Sequence, residues 1–206
     1  MVQPRKSHRE RVVDMLADRG MARLSELIDG GVTATSVARL EREGVIVRLG
    51  RGLYQLPDAP VDAHHTLAEA AKLVPRGVVC LVSALAFHDL TDKLSSKVWL
   101  AIGPKDWKPR VAHPPIRFVR FPPERLTRGI ETHSIEGVPV RITDAAHTIV
   151  DLFRYRKSVG QNLAVEGLKE ALRRRKAMPG ELARLAAEAR VWTVMRPYIE
   201  ALTIDG

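Results

Sequence analysis

Between Ser7 and Arg19 the apolar residues Val12, Val13, Leu16 and Ala17 recur at helical spacing among charged neighbours, and Gly20 stands where such a helix would stop. Leu24, Leu27 and Ile28 repeat the spacing over a shorter segment that the pair Gly30-Gly31 closes. Thr33 then offers a hydroxyl cap to a third helix running to Glu43, with Gly44 as its left-handed terminator. After Gly44 the period switches from helical to alternating. Val45, Val47 and Leu49 share one face, and Leu53 to Leu56 read as a return strand beyond the tip Gly50-Arg51-Gly52, where glycines permit positive φ. Helix, short helix, glycine turn, longer helix and two-stranded hairpin make the order of a winged helix-turn-helix. Pro57 closes the unit.

The third helix is tested by its faces. The helical period sets Ala34, Val37, Ala38 and Leu40 on an inward side and gathers Thr35, Arg39 and Arg42 on the other, with Ser36 on the flank. Arginine forks suit guanine edges in a major groove, and hydroxyls suit bases or phosphates; Glu41 and Glu43 would then have to lie off the contact line. Arg51 projects from the hairpin tip, where a phosphate or minor groove could meet it. The candidates for DNA contact are Thr33, Thr35, Ser36, Arg39, Arg42, Arg48 and Arg51. Taken singly, an arginine-bearing helix face is a solvated surface and a glycine-rich hairpin is a turn; their order and spacing within 60 residues favour DNA binding.

Residues 58–66, Asp58-Ala59-Pro60-Val61-Asp62-Ala63-His64-His65-Thr66, have linker composition. The expected division is therefore a DNA-binding domain over 1–60 and a second domain over 61–206. Beyond it come a helix near Leu67 to Leu73, a buried segment Val78 to Val82, and a helix from Ser83 to Leu90. Strand patterns follow at Val98–Ile102, Ile116–Phe121, Glu131–Ile135 and Val138–Ile142, the last two joined by a hairpin turn at Glu136-Gly137. These predict a small, mainly antiparallel sheet. Lys105-Asp106-Trp107-Lys108-Pro109-Arg110 reads as an exposed basic and aromatic loop. From Asp144, a helix cap, the pattern is a helical bundle: Ala145, Ile149, Leu152 and Phe153 form one stripe, and Leu163, Leu168, Ala171 and Leu172 form another. Pro179 opens a further helix, and Val191 to Leu202 continue helically through Pro197. The fold class expected is α+β.

Charge sharpens this picture only where it meets a motif. The 206 residues carry 33 Lys and Arg against 24 Asp and Glu, a net charge of +9, which favours polyanionic partners. Positions 1–57 hold ten basic and seven acidic residues, so placement carries the argument rather than the total. The run Arg173-Arg174-Arg175-Lys176 fits either a helix carboxyl end or a phosphate patch. The single cysteine, Cys80, excludes an internal disulfide and an all-cysteine zinc cluster; within Val78–Val82 it reads as a small buried apolar group. No apolar run approaches the roughly 20 residues of a membrane helix, and Met1 to Lys6 lead into no signal-type stretch, so a cytoplasmic protein is expected.

An enzyme has little to stand on. A metal-dependent nuclease would draw on Glu131, Glu136 and Asp144 with Arg141 where a lysine is usual, but Glu136 and Asp144 are better explained as a turn residue and a helix cap. Adjacent His64 and His65 have no acidic or histidine partner following at ligand spacing and read as a helix start. His88, His113, His133 and His147 are scattered. No catalytic residue, metal or cofactor is expected. A ligand-sensing regulator would need an apolar pocket in the second domain.

Gly50 to Pro57, the stretch Gly137 to Asp151, Leu85-Ala86-Phe87-His88 and Arg196-Pro197-Tyr198 together resemble the AbiEi family of bacterial antitoxins, in order along nearly the whole chain. The resemblance implies an amino-terminal winged helix, a carboxyl-terminal antitoxin domain, and membership of a type IV toxin-antitoxin system. It implies repression of the shared operon at inverted repeats in duplex DNA, and neutralisation of a nucleotidyltransferase toxin without a stable complex. Carried over, the DNA-contacting positions are Thr35, Ser36, Arg39, Arg42 and Arg51.

Overall fold

The computed structural model describes residues 6–93 and 95–204. It is an α+β fold whose chain falls into two compact units. The first runs to Arg76 and takes in residues 109–115 and 133–140; the second comprises the remainder.

In the first unit α1 (His8–Arg19) leads through β1 (Met21–Arg23) and α2 (Leu24–Asp29) to α3 (Ala34–Arg42), followed by β2 (Val47–Gly50), β3 (Leu53–Gln55) and α4 (His65–Leu73). Ser7 starts α1 with a capping box: its hydroxyl accepts from the Glu10 amide, and Glu10 returns a carboxylate to the Ser7 amide at 2.7 Å. Val12 and Leu16 of α1 are buried with Leu27, Val37, Leu40, Ile46 and Tyr54 in one core. Strand β1, absent from the sequence expectation, pairs antiparallel with β3, giving the order β1-β3-β2. Three residues with no alternation are too short to show a strand period. The expected break near residue 60 falls inside this unit because α4 is tied back: Arg23 Nη2 donates to Leu73 O at 3.0 Å, and Lys72 Nζ lies 2.9 Å from Glu26 Oε1. Burial alone would raise the Glu26 carboxyl, but the Arg23 amide and Lys72 outweigh it and its pKa falls below the ordinary value.

Gly20 shows how tightly the unit closes. Its φ is +67°, and an added Cβ would lie 1.7 Å from the carbonyl oxygen of Glu136, so no side chain fits there. Glu136 and Gly137, both at positive φ (51° and 74°), form the expected hairpin turn, with the left-handed pair of a type I′ connection.

The second unit holds β4 (Val78–Val79), α5 (Leu81–Phe87), β5 (Val98–Ile102), β6 (Ile116–Arg120) and a 3-10 turn at Pro123–Leu126. The hairpin β7 (Ile130–Ile135) and β8 (Val138–Thr143) follows, with residues 133–140 of it counted in the first unit, and then α6 (Ala145–Arg154), α7 (Arg156–Val159), α8 (Gln161–Arg173), α9 (Pro179–Glu188) and α10 (Trp192–Ile204). The sheet order is β6-β5-β4-β8-β7. It is mixed rather than mainly antiparallel: β5 pairs with β6 and β4 with β8 in parallel, and only β4 with β5 is antiparallel among these. Parallel neighbours need crossovers, and strand patterns in sequence carry no record of direction. Ile149, Leu152 and Phe153 of α6 pack with Leu163 and Leu168 of α8, Leu182 of α9 and Met195 of α10 around Leu81 and Leu85.

Polar groups in this core are paired. Asp144 caps α6 by accepting from the His147 amide at 2.7 Å, as the sequence implies. His88 donates Nε2–H to Thr143 O at 2.7 Å. Asp151, 2% exposed, meets Arg125 Nη2 at 2.5 Å; burial still holds its pKa above the usual range against that guanidinium. Cys80 is fully buried, and burial followed by the Asp151 charge pushes its thiol well up, which leaves it unreactive. Of the run after α8, Arg173 and Arg174 are occupied with Glu170 at 2.7 and 3.2 Å.

Candidate nucleic-acid interface

The candidate surface is built on α3. Thr33 caps the helix, its Oγ1 accepting from the Ser36 amide at 3.2 Å. Its hydroxyl also lies 2.9 Å from Ser36 Oγ, which in turn meets Nδ1 of His8 at 2.7 Å. The two candidate hydroxyls are thus engaged in fixing the start of the helix to α1. Val37 and Leu40 are fully buried and set the inward side. Ala34 and Ala38, assigned to that side by sequence, are instead exposed with Thr35, Arg39 and Arg42. At 100° per residue these five cover a continuous arc of about 140°. The inward side needs only two large residues, because the small alanines offer little area to bury. Their exposure lets the helix backbone approach a partner closely between the arginines.

The arginines are free to reorganise. Arg39 Nε lies 3.7 Å from Glu43 Oε1 in an exposed pair, a type worth little in water, and Arg42 Nε turns back to the Ala38 carbonyl at 3.3 Å. Glu41 is half-buried towards Tyr54, whose pKa is raised by burial and then by the Glu41 charge. Glu43, by contrast, sits beside Arg39 rather than off the face. The glycine turn before α3 is held by Arg11, whose Nη1 donates to Gly31 O at 3.1 Å. Neither His8 nor Arg11 is marked in the sequence for this work, since each acts over 20 or more positions of separation.

In the β2–β3 hairpin Arg48 stands opposite Tyr54 and Gly50 opposite Leu53, with a bulge between. Arg48 Nε donates to Gly50 O at 3.0 Å, and Arg51 is exposed at the tip. Of the two tip glycines only Gly52 takes positive φ, 69°. Gly50 passes close to the backbone of His113; a Cβ there would sit 3.5 Å from its carbonyl oxygen.

That loop joins a polar cluster the sequence hides. The Nδ1–H of His65 donates to Glu136 Oε2 at 2.8 Å, while its Nε2 lies 3.7 Å from Glu69 Oε1 and His113 Nε2 lies 3.8 Å from Glu69 Oε2. His65 does have acidic neighbours, then, one of them at i+4. The His64-His65 pair nevertheless opens α4, with His64 at the cap position. Among the described residues no group of three or more His, Cys, Asp or Glu is arranged to hold a metal ion. Of the nuclease carboxylates, Glu136 is taken up by His65 and the Asp62 amide, and Asp144 by its helix cap.

The described residues therefore combine a helix-turn-helix type unit with a mixed α/β second unit. Residues 10–57 match the family model described as "Transcriptional regulator, AbiEi antitoxin". The crystal structure of the RV2827C protein from Mycobacterium tuberculosis is similar in fold, with a TM-score of 0.59 at 15% identity, covering 88% of this chain and 72% of that one. No curated protein matches the chain. Among the described residues no helix is long and apolar enough to cross a membrane.

Glu69 yields a test of this unit's electrostatics. Its carboxyl is almost wholly buried, Oε2 has no hydrogen-bond partner, and burial, opposed by His65 and His113, raises its pKa above 4.5. A raised carboxyl pKa gives stability that is complete below the unfolded value and is lost as pH rises through the folded one. Glu69→Gln keeps the shape without the charge, so it should stabilise the protein at pH 7 and lose that advantage as the pH falls to the ordinary carboxyl value. Thermal melts from pH 4 to 8 check it; a difference independent of pH contradicts it.

Proposed function

We propose that this chain binds duplex DNA as a transcriptional regulator, with α3 as the recognition helix in a major groove and the β2–β3 hairpin as a wing. The observation that carries the reading is the exposed arc of Ala34, Thr35, Ala38, Arg39 and Arg42 on a helix whose opposite side is locked by Val37 and Leu40. Thr35, Arg39 and Arg42 read base edges and neighbouring phosphates. Thr33 and Ser36, engaged with each other and with His8, orient the helix amino terminus towards backbone phosphate. Arg48 and Arg51 supply wing contacts to the phosphate backbone.

The family match over residues 10–57 supports the further reading that the protein is the antitoxin of a type IV toxin-antitoxin operon. In that reading the first unit represses the shared promoter at inverted repeats. The second unit, with the helical bundle of α6 and α8–α10, counteracts a nucleotidyltransferase toxin without forming a stable complex. The protein acts in the cytoplasm and needs no cofactor.

The test is a gel-shift titration on the DNA upstream of the protein's own gene. Arg39→Ala with Arg42→Ala should abolish the specific shift while circular dichroism stays native, each base contact being worth about 1–3 kcal/mol. Unchanged binding would sink the recognition face. Arg51→Ala should lower the slope of log affinity against log salt by about 0.9, the value for one neutralised phosphate. An unaltered slope would remove the wing from the backbone.

A further inference from the structure

Trp107 is the most exposed large apolar side chain among the described residues, 83% accessible, in the turn between β5 and β6. A solvent-facing indole on a slack loop would mean little, but this loop is built. The Gly103 amide donates to Asp106 Oδ2 at 2.9 Å, and the Asp106 amide returns to Gly103 O at 3.2 Å, closing a tight turn. A Cβ on Gly103 would lie 2.9 Å from that same carboxylate oxygen, so a side chain there would push the Asp106 carboxylate aside. Arg120, on edge strand β6, turns one guanidinium nitrogen to three loop carbonyls, those of Gly103, Pro104 and Asp106, at 2.6, 2.8 and 3.1 Å. An arginine so committed holds the backbone rather than a partner, and what the backbone presents is Trp107.

The neighbours define the chemistry. Lys105 and Lys108 flank the indole and are exposed, and Lys108 Nζ also stands 5.7 Å from the ring centre of Phe118. Arg117, exposed on β6, lies over the Trp99 ring at 4.2 Å. The loop therefore sets an open aromatic side chain between two exposed cations, Lys105 and Lys108, on a fixed frame. A flat π-face takes a base whatever its identity, while cations beside it take the linking phosphates. Bases inside a duplex are already stacked on one another; unpaired ones are available.

We propose that the Trp107 loop is a second nucleic-acid site, separate in residues and chemistry from α3, that stacks an unpaired base of single-stranded RNA or DNA on Trp107 and holds the adjoining phosphates with Lys105 and Lys108. Trp107 and the two lysines are its binding residues; Asp106 and Arg120 position them.

Fluorescence titration of the full chain with the single strands U12 and dT12 tests the proposal. Trp99 is buried and Trp192 half-buried, so iodide-accessible emission comes chiefly from Trp107. Single strands should quench that emission and shield it from iodide. Followed by the anisotropy of the same strands carrying a fluorescein label, Trp107→Ala, at a site too exposed to threaten folding, should weaken single-strand binding about tenfold or more, with Trp107→Phe retaining most of it. Lys105→Ala with Lys108→Ala should reduce the salt slope by about 1.4. The difference between U12 and dT12 tells which sugar the site takes. The proposal is overturned if neither strand quenches Trp107, as a protein-docking loop would behave. It is equally overturned if Trp107→Ala lowers affinity for duplex DNA alone.

Discussion

What α3 can offer to DNA depends on its rotation about its own axis, and that rotation is fixed by a small set of contacts. Val37 and Leu40, 60° apart around the helix at the standard angular step, are fully buried against α1 and the sheet of the first unit. At the amino end the chain of hydrogen bonds from Thr33 through Ser36 to His8 pins the first turn to α1. Turning the helix by one residue would bury an arginine or expose Leu40, and either costs more than a surface ion pair such as Arg39–Glu43 could return. The outward arc is thus a consequence of what is held inside.

Much of this arrangement is legible in the sequence because it is local. Capping by Ser7, Thr33 and Asp144 needs only residues three apart, and the left-handed turn at Glu136-Gly137 only two. The helix order before residue 45 and the strands β5, β6, β7 and β8 follow from period and composition. On α3 the arginine face is readable, yet the pattern places Ala34 and Ala38 inward: hydropathy ranks alanine with the apolar residues, whereas burial follows area.

What the sequence conceals is pairing over distance. Strand β1 exists because β3 is there to receive it, 30 residues later, and the parallel pairings of the second sheet depend on crossovers whose direction leaves no mark on the strands themselves. The cluster of His65, Glu69, His113 and Glu136 draws on three segments of chain. So does the support of the first unit by residues 109–115 and 133–140, which a linker-like stretch at 58–66 gives no reason to expect. In the Trp107 loop, the basic and aromatic character is plain in sequence; the rigid frame supplied by Arg120 is not.

The central claim, that the exposed arc of α3 lies in a major groove, is tested most directly by dimethyl sulfate footprinting on the upstream DNA, because guanine N7 is reached only through that groove. The account predicts protection of guanine N7 in both arms of an inverted repeat when the protein is bound. Bound complex with every guanine N7 still reactive would contradict it.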